Sequence, residues 1–170
     1  MGHDVFCLAG RTSYYPNFNL PNVKYADHPI EMLEEAVDIS SSFSPEVWIF
    51  SAAVLDYLPE SFQGKIPSSK EGIQINLAPT QKHIPAILKA TGQCYSFGFK
   101  LESNVDLEHL LEKASSQISL YSMDAVVANR LEDLDNPDSP RAWLLDSDGK
   151  CSEIPDLTSL CEIIESLMAN

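Results

Sequence analysis

Positive charge is scarce in this chain of 170 residues: 11 Lys and Arg face 25 Asp and Glu, for a formal net charge of −14. A surface that grips a nucleic acid needs clustered basic side chains to release counterions from phosphates. None is clustered here, so nucleic acid is excluded as a partner. Glycine is sparse too, at 7, and no GxGxxG follows a strand-like run, which removes the generic nicotinamide-binding module. The cysteines (Cys7, Cys94, Cys151, Cys161) lack metal-ligand spacing, and the histidines (His3, His28, His83, His109) form no HExxH pair. A zinc site is therefore not expected, and the thiols read as reduced. No apolar run approaches the length that spans a bilayer, and the first residues lack a signal-peptide pattern. The expectation is a cytoplasmic protein with no membrane partner. Nor does any Ser-His-Asp or Cys-His arrangement announce a protein nucleophile.

What is present is ordinary globular material, 44% hydrophobic and 21% charged, enough for one domain over residues 1–170 with a full core. Val5, Phe6, Cys7, Leu8 and Ala9 read as a buried strand that stops at Gly10. Residues 11–21 read as loop and 23–25 as a short strand. Ile30, Leu33 and Val37, with Met32, Ala36 and Ile39 alongside, give a helix with one broad apolar face, ended by Ser40, Ser41, Ser42 and Pro45. Residues 47–52 carry no charge and predict a buried strand. Strand, helix and strand in apolar runs imply parallel pairing and right-handed crossovers. Residues 58–72 turn polar, with Pro59, Gly64, Pro67 and Gly72, and predict a long mobile flap.

Further on, 73–77 alternates like a half-exposed strand, 84–88 is helical up to Gly92, and 95–99 is again a strand. Leu107, Leu110, Leu111, Ala114 and Ile118 follow helical spacing behind an Asp106 N-cap. Residues 125–128 predict a buried strand, and 142–145 with 151–154 a hairpin around Asp146, Ser147, Asp148 and Gly149. Leu160, Ile163, Ile164 and Leu167 make a closing helix. The fold class that follows is α/β: three layers, a mostly parallel Rossmann-like sheet flanked by helices, a C-terminal hairpin and a mobile flap.

The most informative stretch is 47–65, VWIFSAAVLDYLPESFQGK. A short acidic side chain just past the carboxyl end of a buried strand lies where open α/β sheets put their ligand chemistry. Ala52, Ala53, Val54, Asp56, Tyr57, Lys65 and Ile66 resemble the hallmark of the phosphopantothenate–cysteine ligases (phosphopantothenoylcysteine synthetases) of coenzyme A biosynthesis. Gly98, Phe99, Lys100, Leu101 and Glu102, then Val126, Val127, Ala128 and Asn129, match in the same order. Residues 65–69, Lys-Ile-Pro-Ser-Ser, are similar to the eukaryotic and monofunctional bacterial branch. The resemblance implies a ligase joining 4′-phosphopantothenate to L-cysteine through an acyl nucleotide. ATP or CTP would be co-substrate with Mg²⁺, in a homodimer whose partner completes each site. It also implies that Lys65 is the catalytic cation of a closing loop, and that Ala52, Ala53, Asp56 and Phe99 hold the nucleotide. Lys100 and Asn129 become candidate substrate or phosphate contacts.

The chain departs from that pattern in three places. Residues 80–83 match poorly the turn that holds the base in relatives. Relatives carry basic residues along the helix after the Gly-Phe strand, whereas 114–121 has no Lys or Arg and only Lys113 is near. Met1, Gly2, His3, Asp4 and Val5 look like the end of the family's first helix. A preceding strand, glycine-rich loop and helix, about 30–40 residues, is thus expected to be missing. The alternative is a truncated, non-catalytic relative that keeps the fold and at most weak nucleotide binding.

Overall fold

Where apolar residues recur at period two the chain is extended, and where they recur every three to four it is helical. The computed structural model describes residues 2–11, 20–60, 64, 74–134, 136 and 138–168. Along the chain run β1 (Phe6–Ala9), β2 (Asn22–Tyr25), α1 (Pro29–Ser42), β3 (Val47–Phe50), β4 (Tyr57–Pro59) and β5 (Leu77–Pro79). Then follow α2 (His83–Thr91), β6 (Tyr95–Glu102), α3 (Leu107–Tyr121), β7 (Ala125–Arg130), β8 (Ala142–Asp146), β9 (Cys151–Ile154) and α4 (Leu157–Met168). They gather into two compact units, Met1–Ser44 with Ala52–Ala90, and Pro45–Ser51 with Thr91–Asn170.

In the first unit β1 and β2 pair in parallel, Phe6 opposite Asn22 and Ala9 opposite Tyr25. α1 starts at Pro29, pre-set for a first helical position, behind His28, whose Nδ1 accepts from the Ile30 N–H at 3.3 Å. The serines expected to end this helix complete it instead. Ser40 Oγ donates to the Ala36 carbonyl and Ser42 Oγ to that of Asp38, each at 2.9 Å, so both hydroxyls are satisfied within helical geometry. β4 and β5 form an antiparallel ribbon, Tyr57 opposite Pro79, Leu58 opposite Ala78 and Pro59 opposite Leu77. The flap expected over 58–72 therefore begins as strand; beyond Glu60 only its Gly64 is among the described residues. The strand expected over 73–77 is shifted to Leu77–Pro79, where β4 supplies the pairing.

The second unit is built on a five-stranded sheet in the order β3-β6-β7-β8-β9. Two pairs, β3/β6 and β6/β7, are parallel, while β7/β8 and β8/β9 are antiparallel. The sheet is mixed where a mostly parallel one was expected. The turn after β8 is the local cause of the last pairing: the Asp146 carboxylate accepts from the N–H groups of Asp148 and Lys150 at 3.1 and 2.8 Å, and Gly149 takes a φ of 84°. β3 is an edge strand and only half-buried, with Ile49 52% exposed, in contrast to the buried strand expected.

Along β6 alternate residues face opposite ways. Phe97 joins Val127, Leu144 and Ile154 against Leu160 and Ile164 of α4, with Phe99 packed on the same cluster. Gly98 faces α3: a Cβ there would stand 2.7 Å from Gln117 Nε2 and 3.0 Å from Met123 Cε. A helix thus lies on each face, and the expected three-layered α/β class, with helices flanking a central sheet, is what this unit shows. Asp106 caps α3 as expected, its carboxylate accepting from the His109 N–H at 2.8 Å. At the start of β6 and β7, the Asp124 carboxylate accepts from Ser96 N at 2.7 Å and Ser96 Oγ at 2.9 Å, and Asp124 N donates to the Ser96 carbonyl at 3.1 Å. This clamp, with Ser96 buried and Asp124 half-buried, fixes the register that sets Phe97 opposite Ala125. The cysteines are free thiols. Among the described residues no helix is long and apolar enough to cross a membrane.

Candidate functional site

Open α/β sheets meet their ligands at the carboxyl ends of parallel strands. The parallel pair β6/β7 ends in Lys100, Leu101 and Glu102 beside Asn129 and Arg130. Alternation puts Lys100 and Glu102 on the α3 side. Lys113 approaches from that helix, one turn beyond Leu110 on the inward stripe. Lys100 Nζ lies 3.0 Å from Glu102 Oε1 and Lys113 Nζ lies 2.8 Å from Oε2. One largely buried carboxylate therefore holds two ammonium groups, one on each oxygen. Lys113, then Lys100, keeps the Glu102 carboxyl below the usual carboxylate range. With two ammonium groups on one carboxylate, the trio carries a net positive charge in a chain of net charge −14.

Arg130, nearby, is committed elsewhere. Its Nε and Nη2 donate to the two Asp133 oxygens at 2.6 and 3.1 Å, Nη1 reaches the Val105 carbonyl at 3.4 Å, and its guanidinium lies 5.5 Å from the Trp143 ring centre. Asp133 is buried, yet the guanidinium holds its carboxyl below the ordinary range. Arg130 and Asp133 brace the sheet end, while the lysine trio keeps the uncompensated charge.

The other residues singled out in the sequence divide between the two units. Phe99 packs on the α4 side, opposite Lys100, as part of the core. Asn129 sits at the end of β7, level with Leu101 and likewise turned away from Lys100. In the first unit Ala52 and Ala53 are exposed, and Lys65 lies outside the described residues. Asp56 forms an ion pair with Lys82, its carbonyl accepts from Thr80 N at 2.8 Å, and Thr80 Oγ1 donates to the Leu55 carbonyl at 2.5 Å. The structure thus joins Asp56 to residues 80–83, which the motif comparison had set aside. In the sequence Lys113 stands out only as the one basic residue near that helix, and Thr80 and Lys82 only within a stretch that matches the family's turn poorly, so none of the three is given a role in the site. For Lys113 a signal existed, its helical spacing from Leu110; for the other two, more than 20 residues from their partners, none did.

The first unit also holds a cavity of about 740 Å³ between the starts of α1 and α2 and the β4–β5 ribbon. Pro29, Leu33, Leu58 and Ala78 give it apolar walls, and His28, Glu34, Glu60 and His83 give it polar groups. Burial pushes the His83 imidazole below its usual range, against a smaller opposing hydrogen bond to the Pro29 backbone.

Residues 1–168 match the family described as DFP, the DNA/pantothenate metabolism flavoprotein C-terminal domain. The coenzyme A biosynthesis bifunctional protein CoaBC of Methanocaldococcus jannaschii is 33% identical over 105 residues, 59% of this chain and 24% of that protein. The matched stretch is thus about a quarter of that relative's length. The crystal structure of the DNA/pantothenate metabolism flavoprotein from Streptococcus pneumoniae aligns with a TM-score of 0.80 at 21% identity, covering 99% of this chain and 82% of that one. A Cab2 variant in complex with phosphopantothenate-cysteine gives a TM-score of 0.62 at 19% identity, over 87% of this chain and 52% of that one. At such identities the structural likeness speaks for the fold alone.

The family match corrects the synthetase expectations. The matching family is described as a flavoprotein domain and not as a phosphopantothenate–cysteine ligase. The acyl-nucleotide ligation, ATP or CTP as co-substrate, and the substrates phosphopantothenate, cysteine and nucleoside triphosphate are withdrawn with it. The homodimer drawn from the same resemblance and the weak nucleotide binding of a decayed ligase fall as well. So does Mg²⁺: among the described residues no group of three or more His, Cys, Asp or Glu could hold a metal ion.

A flavin, which the family description brings to mind, needs cations for its phosphate and a face for its ring. The described lining of the first-unit cavity has Glu34 and Glu60 but no Lys or Arg, so it disfavours a phosphate. The lysine trio has the cations, but Phe99 faces the other side of the sheet and Trp143 is buried next to Arg130. At neither place do the described residues fit a flavin mononucleotide.

Proposed function

The chain belongs to the family of DNA/pantothenate metabolism flavoprotein C-terminal domains, and from that premise we propose that it is a substrate-holding domain in coenzyme A biosynthesis. It serves decarboxylase-type flavin chemistry while the flavin sits on another domain or chain. Its ligand is of the phosphopantothenate-cysteine class, the molecule bound in the Cab2 complex. Both units act as one domain, in the cytoplasm. The observation that carries this reading is the Lys100–Glu102–Lys113 trio, a net cation at the carboxyl end of a parallel strand pair. A phosphate placed there meets two ammonium donors already held in position, which lowers the entropy lost on binding.

Calorimetry with phosphopantothenate-cysteine and its dephosphorylated counterpart tests this. The phosphorylated ligand should bind at least tenfold more tightly. Lys113→Ala should remove a charge-assisted bond worth about 1.5–3 kcal/mol from the phosphorylated ligand and leave the other unaffected. Equal affinity for the two ligands would sink the reading.

A further inference from the structure

We propose that the first-unit cavity is a second binding site, for a small organic cation in which an amine is carried on an apolar body. At about 740 Å³ it lies in the size range of small-molecule sites, which pair apolar walls with a few polar groups. Three lining prolines stiffen it: Pro29 opens α1, Pro59 ends β4 and Pro79 ends β5. Their fixed φ angles mean that little backbone freedom remains to be lost on binding.

Charge decides the ligand class. Glu34 and Glu60 contribute two full negative charges to the lining, and no Lys or Arg appears among the described lining residues. The adjacent Lys82 is drawn to Asp56. Burial keeps the His83 imidazole below its usual range, which disfavours the protonated form that would repel a cation. The N-termini of α1 and α2 oppose this, each with about half a positive charge. Two carboxylates against two half-charges leave a balance of roughly −1, so an ammonium is favoured and a phosphate or carboxylate is not. The chain's net charge of −14 raises the local cation concentration in the same sense. Leu33, Leu58 and Ala78 then take the apolar body. This site is independent of the lysine trio and selects the opposite charge.

The probes are benzylamine, benzyl alcohol and benzoate, matched in shape and differing in charge, titrated into the whole chain with backbone amide NMR as readout. Benzylamine should give saturable shifts at Leu33, Leu58 and Thr80, with benzyl alcohol at least fivefold weaker and benzoate silent. Glu34→Gln combined with Glu60→Gln should reduce benzylamine to the level of benzyl alcohol without changing the latter. Both glutamates are exposed, so the fold should survive, and circular dichroism checks that. Each single substitution should give an intermediate loss. Benzoate binding as tightly as benzylamine, an unchanged benzylamine affinity in the variants, or saturable shifts confined to other residues would overturn the proposal.

Discussion

In the second unit Phe97, Leu110, Ala114, Ala125, Val126 and Ala128 are wholly buried. In the first, the buried hydrophobic side chains among the described residues are Ala26, Ala36, Ile39 and Ile87, while Leu55, Tyr57, Ile75 and Leu77 are each more than half exposed. Strand pairing explains much of the contrast. A five-stranded sheet gives its inner strands a partner on both sides and a helix on both faces. Two-stranded ribbons do neither and are marginal alone. Cooperative stability therefore sits with β6, β7 and their helices, and the more open first unit is where binding can be accommodated at low cost.

The sharpest way to break this comparison is to truncate one core residue in each unit. Phe97→Ala should cost about 3–5 kcal/mol in urea unfolding, because the two layers around it cannot collapse into the space. Ile87→Ala should cost less, about 2 kcal/mol. An equal or larger loss at Ile87 would end the claim that stability is concentrated in the second unit.

Helix caps offer a smaller contrast. Asp106→Ala removes a 2.8 Å bond to the His109 N–H and should lower stability by about 1 kcal/mol. His28→Ala removes a longer bond of 3.3 Å and should cost only a few tenths, about 0.3 kcal/mol. Thermal melts of the two variants measure the gap.

The smallest effect is a pH dependence that differs between units. His83 has a folded pKa below its unfolded value of about 6.5. Its contribution is complete above that pH and is lost as pH falls toward the folded value, since the unfolded chain then binds the proton better. Glu102 and Asp133 also have lowered values, so their contribution persists to below about pH 4 and fades as pH falls through the folded pKa. Amide exchange at pH 5.5 should accordingly rise in α2 and change little in β6 and α3. Acceleration first in α3 would reverse the assignment of the two thresholds.

What was legible in the sequence was local. Asp106 ahead of a run spaced three and four residues apart marks α3, and Asp146 with Gly149 marks the last hairpin, because cap and turn chemistry act over a few residues. β4 was unreadable for the opposite reason: three residues pair with three others some twenty positions away. The same limit governed the site. Lys100 and Glu102 stood inside a motif, but Lys113, which pairs with Glu102, is recruited by the packing of a helix on a strand, and the bond between Thr80 and Leu55 exists only because the ribbon closes. Asp56 and Phe99, given one nucleotide role by the resemblance, fall in different units, and strand alternation turns Phe99 away from its neighbour Lys100.

The clamp between Ser96 and Asp124 has a consequence for transplanting this chemistry into another protein. It sits six residues before Glu102 on β6, roughly 20 Å away along an extended strand. Yet it determines which way every later residue of that strand points, because slipping by one residue exchanges the faces. A graft carrying only Lys100, Glu102 and Lys113 would leave the host to choose the phase, and half the available choices would send both β6 side chains away from the helix that bears Lys113. The smallest portable unit is therefore the whole arc from Ser96 through Asp124, with Gly98 kept so that helix and strand can meet as closely as they do here.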